Sequence, residues 1–158
     1  MDDLMYKRIL VPLENSSTDL AILEHVRALA TFCKASVVLI HVADGFVARN
    51  FRQLTLRESE EMRRDREYIE KCATDLSHAG LEAEPVLAAG DPSEEIAAAA
   101  EREECDLIAM STHGHRFLGD LLFGSVADSV RHRSPVPVLC VRARVPQRVF
   151  TPPWVAAQ

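Results

Sequence analysis

Short apolar runs alternate with helix-spaced amphipathic stretches along most of the chain, and this alternation restricts the fold more than any other feature. Residues 7–13 form the first run, continuous through Ile9-Leu10-Val11 as a strand buried on both faces requires. Glu14-Asn15-Ser16-Ser17 then makes a polar turn, with Ser16 or Ser17 as a helix N-cap. Ile22, Val26, Leu29 and Cys33 follow at the spacing of one helix face. Val37-Val38-Leu39-Ile40-His41-Val42, dense in β-branched residues, is the second strand.

From Asp44 to Gln53 the periodicity lapses around Phe46 and Phe51. Residues 54–78 then read as a charge-rich helix with a sparse inner stripe of Met62, Ile69, Ala73 and Leu76. Its interleaved Arg and Glu make a solvated face of i,i+4 pairs. Gly80 ends this helix, and residues 83–89 are the third strand. Asp91 is the next N-cap, with Pro92 at the first helical position and Glu94 closing a capping box. The Ala-rich helix continues from Ile96 to Glu104. Asp106–Met110 and Val136–Val141 are the fourth and fifth strands, separated by a Gly-punctuated loop and a helix from Ser125. The resulting order predicts an α/β fold, with parallel strands joined by right-handed crossovers and helices on both faces. In such open sheets ligands bind outside the carboxyl ends of the strands, where the direction of strand addition reverses.

Composition narrows the function. At 158 residues, 47% hydrophobic and 27% charged, the chain suits one domain with its own core. A net charge of −6 argues against the clustered basic face of a nucleic-acid binder, yet leaves room for one anion at a helix N-terminus. Apolar runs fall short of the ~18 residues of a membrane span, and the acidic start Met1-Asp2-Asp3 lacks the features of a signal peptide. Cys33, Cys72, Cys105 and Cys140, scattered without a C-x-x-C pair, read as buried reduced thiols of a cytoplasmic protein. His113, His115 and His132 have no carboxylate or cysteine at ligand spacing, so no metal site is expected. His41 and His113 are expected to bond backbone groups instead.

The loop after the fourth strand carries the strongest local signal. Gly114 and Gly124 permit close approach of ligand oxygens to backbone N–H groups, and a helix starting at Ser125 would aim its dipole at the same space. Ser125-x-x-Asp128 is equally a capping box, with Gly114, Gly119 and Gly124 as turn residues. Neither the P-loop pattern nor G-x-G-x-x-G occurs in the chain.

Ser111-Thr112-His113-Gly114, the nine residues His115 to Phe123, and then Gly124-Ser125 resemble the phosphate-binding signature of the universal stress protein family. The resemblance runs from Tyr6 to Arg142 and includes Ile9-Leu10-Val11-Pro12, Leu39-Ile40-His41-Val42, Gly90-Asp91-Pro92 and Ser134-Pro135-Val136-Pro137-Val138. It implies an open, Rossmann-like five-stranded parallel sheet in the order 3-2-1-4-5, over residues 1–143, followed by an irregular tail at 144–158 around Pro146, Pro152, Pro153 and Trp154. It also implies a homodimer paired through the last strand, Val136–Val141, whose apolar edge otherwise needs covering.

The ligand implied is ATP, or AMP or ADP, with Mg possible beside ATP. Family members that bind it would place phosphates on Gly114, Gly124, Ser125 and Val126. Adenine and ribose would lie against Leu13, Glu14 and Val42, with Pro12, Met110, Ser111, His113 and Arg116 completing the site. Three positions depart from the family pattern: Glu14 where an aspartate is usual, Ser111 where the first glycine stands, and an acidic Asp120 in the loop. Serine at 111 costs little where the backbone is extended. The function implied is a regulatory, stress-response module rather than an enzyme, since no nucleophile–base pair is visible. The alternative is a dimeric interaction module of the same fold that no longer binds nucleotide. A phosphoacceptor receiver domain has the same alternation but needs a lysine after its last strand, and the chain has none after Lys71.

Overall fold

Apolar residues at consecutive strand positions make a sheet that is buried on both sides. In the computed structural model, which describes residues 5–44, 60–113 and 121–143, that sheet has five strands. In chain order the elements are β1 Arg8–Leu13, α1 Asp19–Cys33, β2 Ser36–Asp44, α2 Glu60–His78, β3 Ala83–Gly90, α3 Pro92–Arg102, β4 Leu107–His113, α4 Leu121–Arg133 and β5 Val138–Ala143. The strand order is 3-2-1-4-5 and every pair is parallel.

Side chains alternate between two cores, one on each face. Ile9, Val11, Val37 and Leu39 pack with Ile22 and Val26 of α1 and with Ile69 and Leu76 of α2. Leu10, Val38, Ile40 and Ile108 pack on the other face with Ile96 of α3 and Val130 of α4. No described helix is long and apolar enough to cross a membrane.

Several boundaries differ from the sequence reading, each for a local reason. Neither Ser16 nor Ser17 caps α1: the N-cap is Thr18, in helical conformation and without a side-chain bond to the helix N–H groups. The loop N–H groups turn instead to the carboxylate of Asp19, the first helical residue. β4 is longer than Asp106–Met110, because Ser111, Thr112 and His113 pair with Val141, Arg142 and Ala143. β5 begins at Val138 rather than Val136: Ser134 Oγ accepts the Val136 N–H at 3.2 Å, and Pro137 has no N–H to give.

The last helix starts at Leu121, four residues before the expected Ser125, since Leu121 and Leu122 are strong helix formers. Gly124 and Ser125 therefore sit inside its N-terminal portion, and Ser125 does not cap it. Asp128 bonds Arg131 at 3.2 Å. The Ala-rich helix closes at Arg102, two residues before Glu104, which takes φ +54. Cys33, Cys72 and Cys105 are buried free thiols, but Cys140 is exposed on β5 rather than buried. Phe46, Phe51, residues 54–59 and the 144–158 tail lie outside the described residues.

Two helix ends match the sequence signals. Gly80 takes φ +91, and the Leu81 N–H reaches back to Leu76 O at 3.1 Å, closing α2. At α3, Pro92 is the first helical residue and Asp91 Oδ1 accepts the Glu94 N–H at 3.0 Å. Glu94 does not close the expected capping box: its Oε1 lies 3.5 Å from Arg133 Nη1 of α4 and ties two helices together. Bonds from the Ser93 hydroxyl and the Glu94 N–H hold the Asp91 carboxyl below its ordinary value. A depressed folded-state value means the stabilisation is present above the unfolded value and lost as pH falls through the folded one. Asp91→Ala is therefore expected to cost about 1 kcal/mol near neutral pH. Urea unfolding at stepped pH should show that difference shrinking once the medium is acidic enough to protonate Asp91.

Candidate functional site

The site begins with a gap in the middle of the sheet. β1 pairs with β2 along its whole length, from Arg8↔Ser36 to Leu13↔His41. With β4 it pairs only at Ile9↔Leu107 and Leu10↔Ile108. Beyond that point comes Pro12, which brings no N–H to a ladder and is unusual in a central strand. The carboxyl ends of β1 and β4 separate there, at the position where strand order reverses.

A cleft of about 260 Å³ occupies the gap. Pro12, Leu13 and Glu14 come from β1 and its following turn, Ile40, His41 and Val42 from β2, and Met110 and Ser111 from β4. Pro92 and Ile96 at the start of α3 and Val126 of α4 form the walls. The cleft is mostly apolar, with Glu14, His41 and Ser111 as the polar residues of its lining. Glu14 Oε2 accepts from the Ser16 hydroxyl at 3.5 Å. Ser111 is buried in extended backbone, paired with Val141, and its hydroxyl donates to Thr18 O at 3.4 Å. Serine in place of glycine therefore meets no backbone penalty here.

His41 holds the cleft floor in place. Its Nδ1 lies 2.9 Å from Leu13 O, and its Nε2 lies 3.2 Å from Asp65 Oδ2 of α2. Both ring nitrogens are thus engaged, and the ring has no free nitrogen to act as a base toward the cleft. His132 is likewise turned to backbone, 2.6 Å from Asp128 O. A second, more polar cleft of about 440 Å³ adjoins the first across Glu14, His41 and Val42, and reaches Asn15, Arg64 and Asp65. No group of three or more His, Cys, Asp or Glu among the described residues is placed to hold a metal ion.

Of the residues the sequence singled out, Pro12, Leu13, Glu14, Val42, Met110 and Ser111 converge on this cleft, joined by Val126. His113 ends β4, paired with Ala143. Gly124 and Ser125 lie in α4. Gly114 and Arg116 lie outside the described residues. The sequence reading missed Ile40, His41, Pro92 and Ile96 as lining. For Pro92 and Ile96 no local signal was available, because their place in the cleft depends on the path α3 takes over the sheet.

The chain matches the model of the universal stress protein family over residues 5–142. It is 32% identical to universal stress protein MJ0577 of Methanocaldococcus jannaschii, an alignment covering 89% of this chain and 97% of that protein. It is 31% identical to a universal stress protein of Methanothermobacter thermautotrophicus, covering 87% and 97%. The solved structure of MJ0577 superposes with a TM-score of 0.75 over 89% of this chain and 99% of that one. A universal stress protein from Archaeoglobus fulgidus, solved in complex with dAMP, shares the fold at TM-score 0.64 and 21% identity, over 85% and 97%. Another family structure, in complex with cAMP, shares it at TM-score 0.64 and 18% identity, over 88% and 98%. Fold, strand order and sequence agree, and the chain belongs to the universal stress protein family.

Proposed function

We propose that the cleft between β1 and β4 binds an adenine nucleotide and that the protein acts as a regulatory module rather than a catalyst. The observation that carries this reading is the parting of β1 from β4 beyond Leu10, which opens an apolar slot edged by Glu14. A flat apolar slot with few polar groups suits a purine ring. The base would lie against Leu13 and Val42, with the Glu14 carboxylate accepting from the exocyclic amine or a ribose hydroxyl. Val126 borders the slot, so the first turn of α4 stands beside it with N–H groups free for phosphate. Because α4 starts at Leu121, those free groups belong to Leu121–Phe123 rather than to Ser125. Gly114 and Arg116 would complete a triphosphate site, with Mg accompanying ATP. The dAMP and cAMP complexes of family members support an adenine ligand.

The same shift of the helix start favours the second reading, an interaction module without nucleotide, because it withdraws the Ser125 N–H from the free set. In either reading the β5 edge, with half-buried Val138, Leu139 and Val141, pairs with a second copy in a cytoplasmic homodimer.

Native mass spectrometry of the protein as purified from cells tests both points. The expected spectrum is a dimer carrying an adenine nucleotide, and equilibrium titration with ATP should give a dissociation constant well below millimolar. Gly124→Asp, which places a carboxylate beside the phosphate-binding groups, should abolish it. A ligand-free dimer with millimolar affinity and no response to Gly124→Asp would establish the interaction module. A monomer would overturn the proposed pairing.

A further inference from the structure

Asp19 is almost wholly enclosed, 1% exposed, yet it lies on the first turn of a surface helix where a carboxylate ordinarily meets water. It is buried because the loop before it wraps around it. Its Oδ1 accepts the Glu14 N–H at 3.0 Å, and its Oδ2 accepts the N–H groups of Asn15 at 2.9 Å and Ser16 at 3.2 Å. A fourth donor comes from α2, the Tyr68 hydroxyl, at 2.6 Å from Oδ2. Short bonds to an ionised acceptor are among the stronger ones in proteins. Asn15 is held in the left-handed region at φ +60, a conformation asparagine tolerates better than most residues and that turns its N–H toward the carboxylate.

α2 grips the same loop a second time. Asn15 Nδ2 donates to Asp65 Oδ1 at 3.1 Å, while Asp65 Oδ2 faces His41, whose Nδ1 is on Leu13 O. Asp65 and Tyr68 are three apart and share one face of the helix. Leu13 and Glu14, the two residues between these grips, line the cleft. The Tyr68 phenol is held above its ordinary value by burial and by the Asp19 carboxylate, so it stays a neutral donor at physiological pH.

We propose that Asp19 and Tyr68 are positioning residues for the cleft, fixing the Glu14–Ser16 backbone so that ligand binding and the seating of α2 stabilise one another. Neither residue lines the cleft. They act through Glu14, whose N–H bonds Asp19 Oδ1 and whose side chain lines the cleft. Because coupling is reciprocal, a ligand that orders Leu13 and Glu14 also strengthens the hold on α2, and the charged outer face of that helix becomes sensitive to occupancy. This coupling rests on the nucleotide reading above; the grip on the loop does not.

The test compares Tyr68→Phe, which deletes one hydroxyl and keeps the ring, with Ile69→Val, which thins the core of the same helix without touching the loop. Amide exchange is measured without ligand, and ATP affinity by calorimetry. Tyr68→Phe should speed exchange at Glu14–Ser16 and weaken ATP binding about tenfold, because the ligand must then order a loop that the lost bond had held in place. It should also diminish the slowing of α2 exchange that ATP produces in the unaltered protein, the Asp65 grip remaining. Ile69→Val should also lower the melting temperature but leave both loop exchange and affinity within about twofold, since it costs packing alone. Asp65→Asn serves as a second variant, weakening the other grip and moving the same readouts in the same direction. Unchanged loop exchange in Tyr68→Phe overturns the proposal, as does unchanged affinity with faster exchange. If the unaltered protein binds no adenine nucleotide, the functional reading fails and so does the coupling, while the exchange at Glu14–Ser16 still decides whether Tyr68 and Asp19 hold the loop.

Discussion

Replacing either Ile9 or Leu10 by alanine is expected to lower the stability of the protein by about 2–5 kcal/mol. The two are neighbours in β1, both 0% exposed, and their side chains enter opposite cores. Ile9 meets the side of the sheet covered by α1 and α2, and Leu10 the side covered by α3 and α4. In a sheet covered on one face only, one of the pair would stand in water and its replacement would cost within about 0.5 kcal/mol. The comparison therefore tests the two-sided architecture directly. Urea unfolding should show both midpoints falling with the slope unchanged, the mark of lost stability rather than a changed unfolded state.

The second large effect is expected at the cleft. Val42 is half-buried, lies near the carboxyl end of β2 and lines the slot beside Leu13 and Glu14. Val42→Trp would put an indole into a space of about 260 Å³. The proposed adenine would then have to displace it, and ATP affinity should fall about a hundredfold, equivalent to about 2.7 kcal/mol. Some overpacking cost of about 1–3 kcal/mol in stability accompanies such an insertion, so circular dichroism must first show the variant folded. Val42→Ala, which widens the slot, should change affinity far less. Wild-type affinity in Val42→Trp would place the nucleotide elsewhere.

The α/β class was legible because it depends on periodicity, which the chain carries residue by residue. Val37 to Val42 could be buried only in a sheet covered on both faces, and Asp91-Pro92 and Gly80 marked helix ends through backbone rules that hold locally. The candidate site was legible in part. Leu13, Glu14, Val42 and Ser111 stand at or near the carboxyl ends of their strands, which sequence places to within a few residues. Pro92 and Ile96 were not, because their place in the cleft depends on the path of a crossover over the sheet.

The start of the last helix was misread for a related reason. Gly124-Ser125 looks like a helix entrance locally, but the leucines before it prefer to be helical. Ser16 and Ser17 were plausible caps by residue type, yet a single buried carboxylate three residues on captured the loop instead.

The amino-acid sequence alone determined the strand–helix alternation, the parallel pairing and the positions of most strand ends. Each follows from side-chain spacing and from local φ/ψ preference. Tertiary structure alone decided where β1 leaves β4, which helices wall the opening, and that Asp19, Tyr68, Asp65 and His41 converge on one loop. Those outcomes join residues far apart in the chain. Hydrogen bonds such as Tyr68 to Asp19 form only after the helices have packed, so no local pattern announces them.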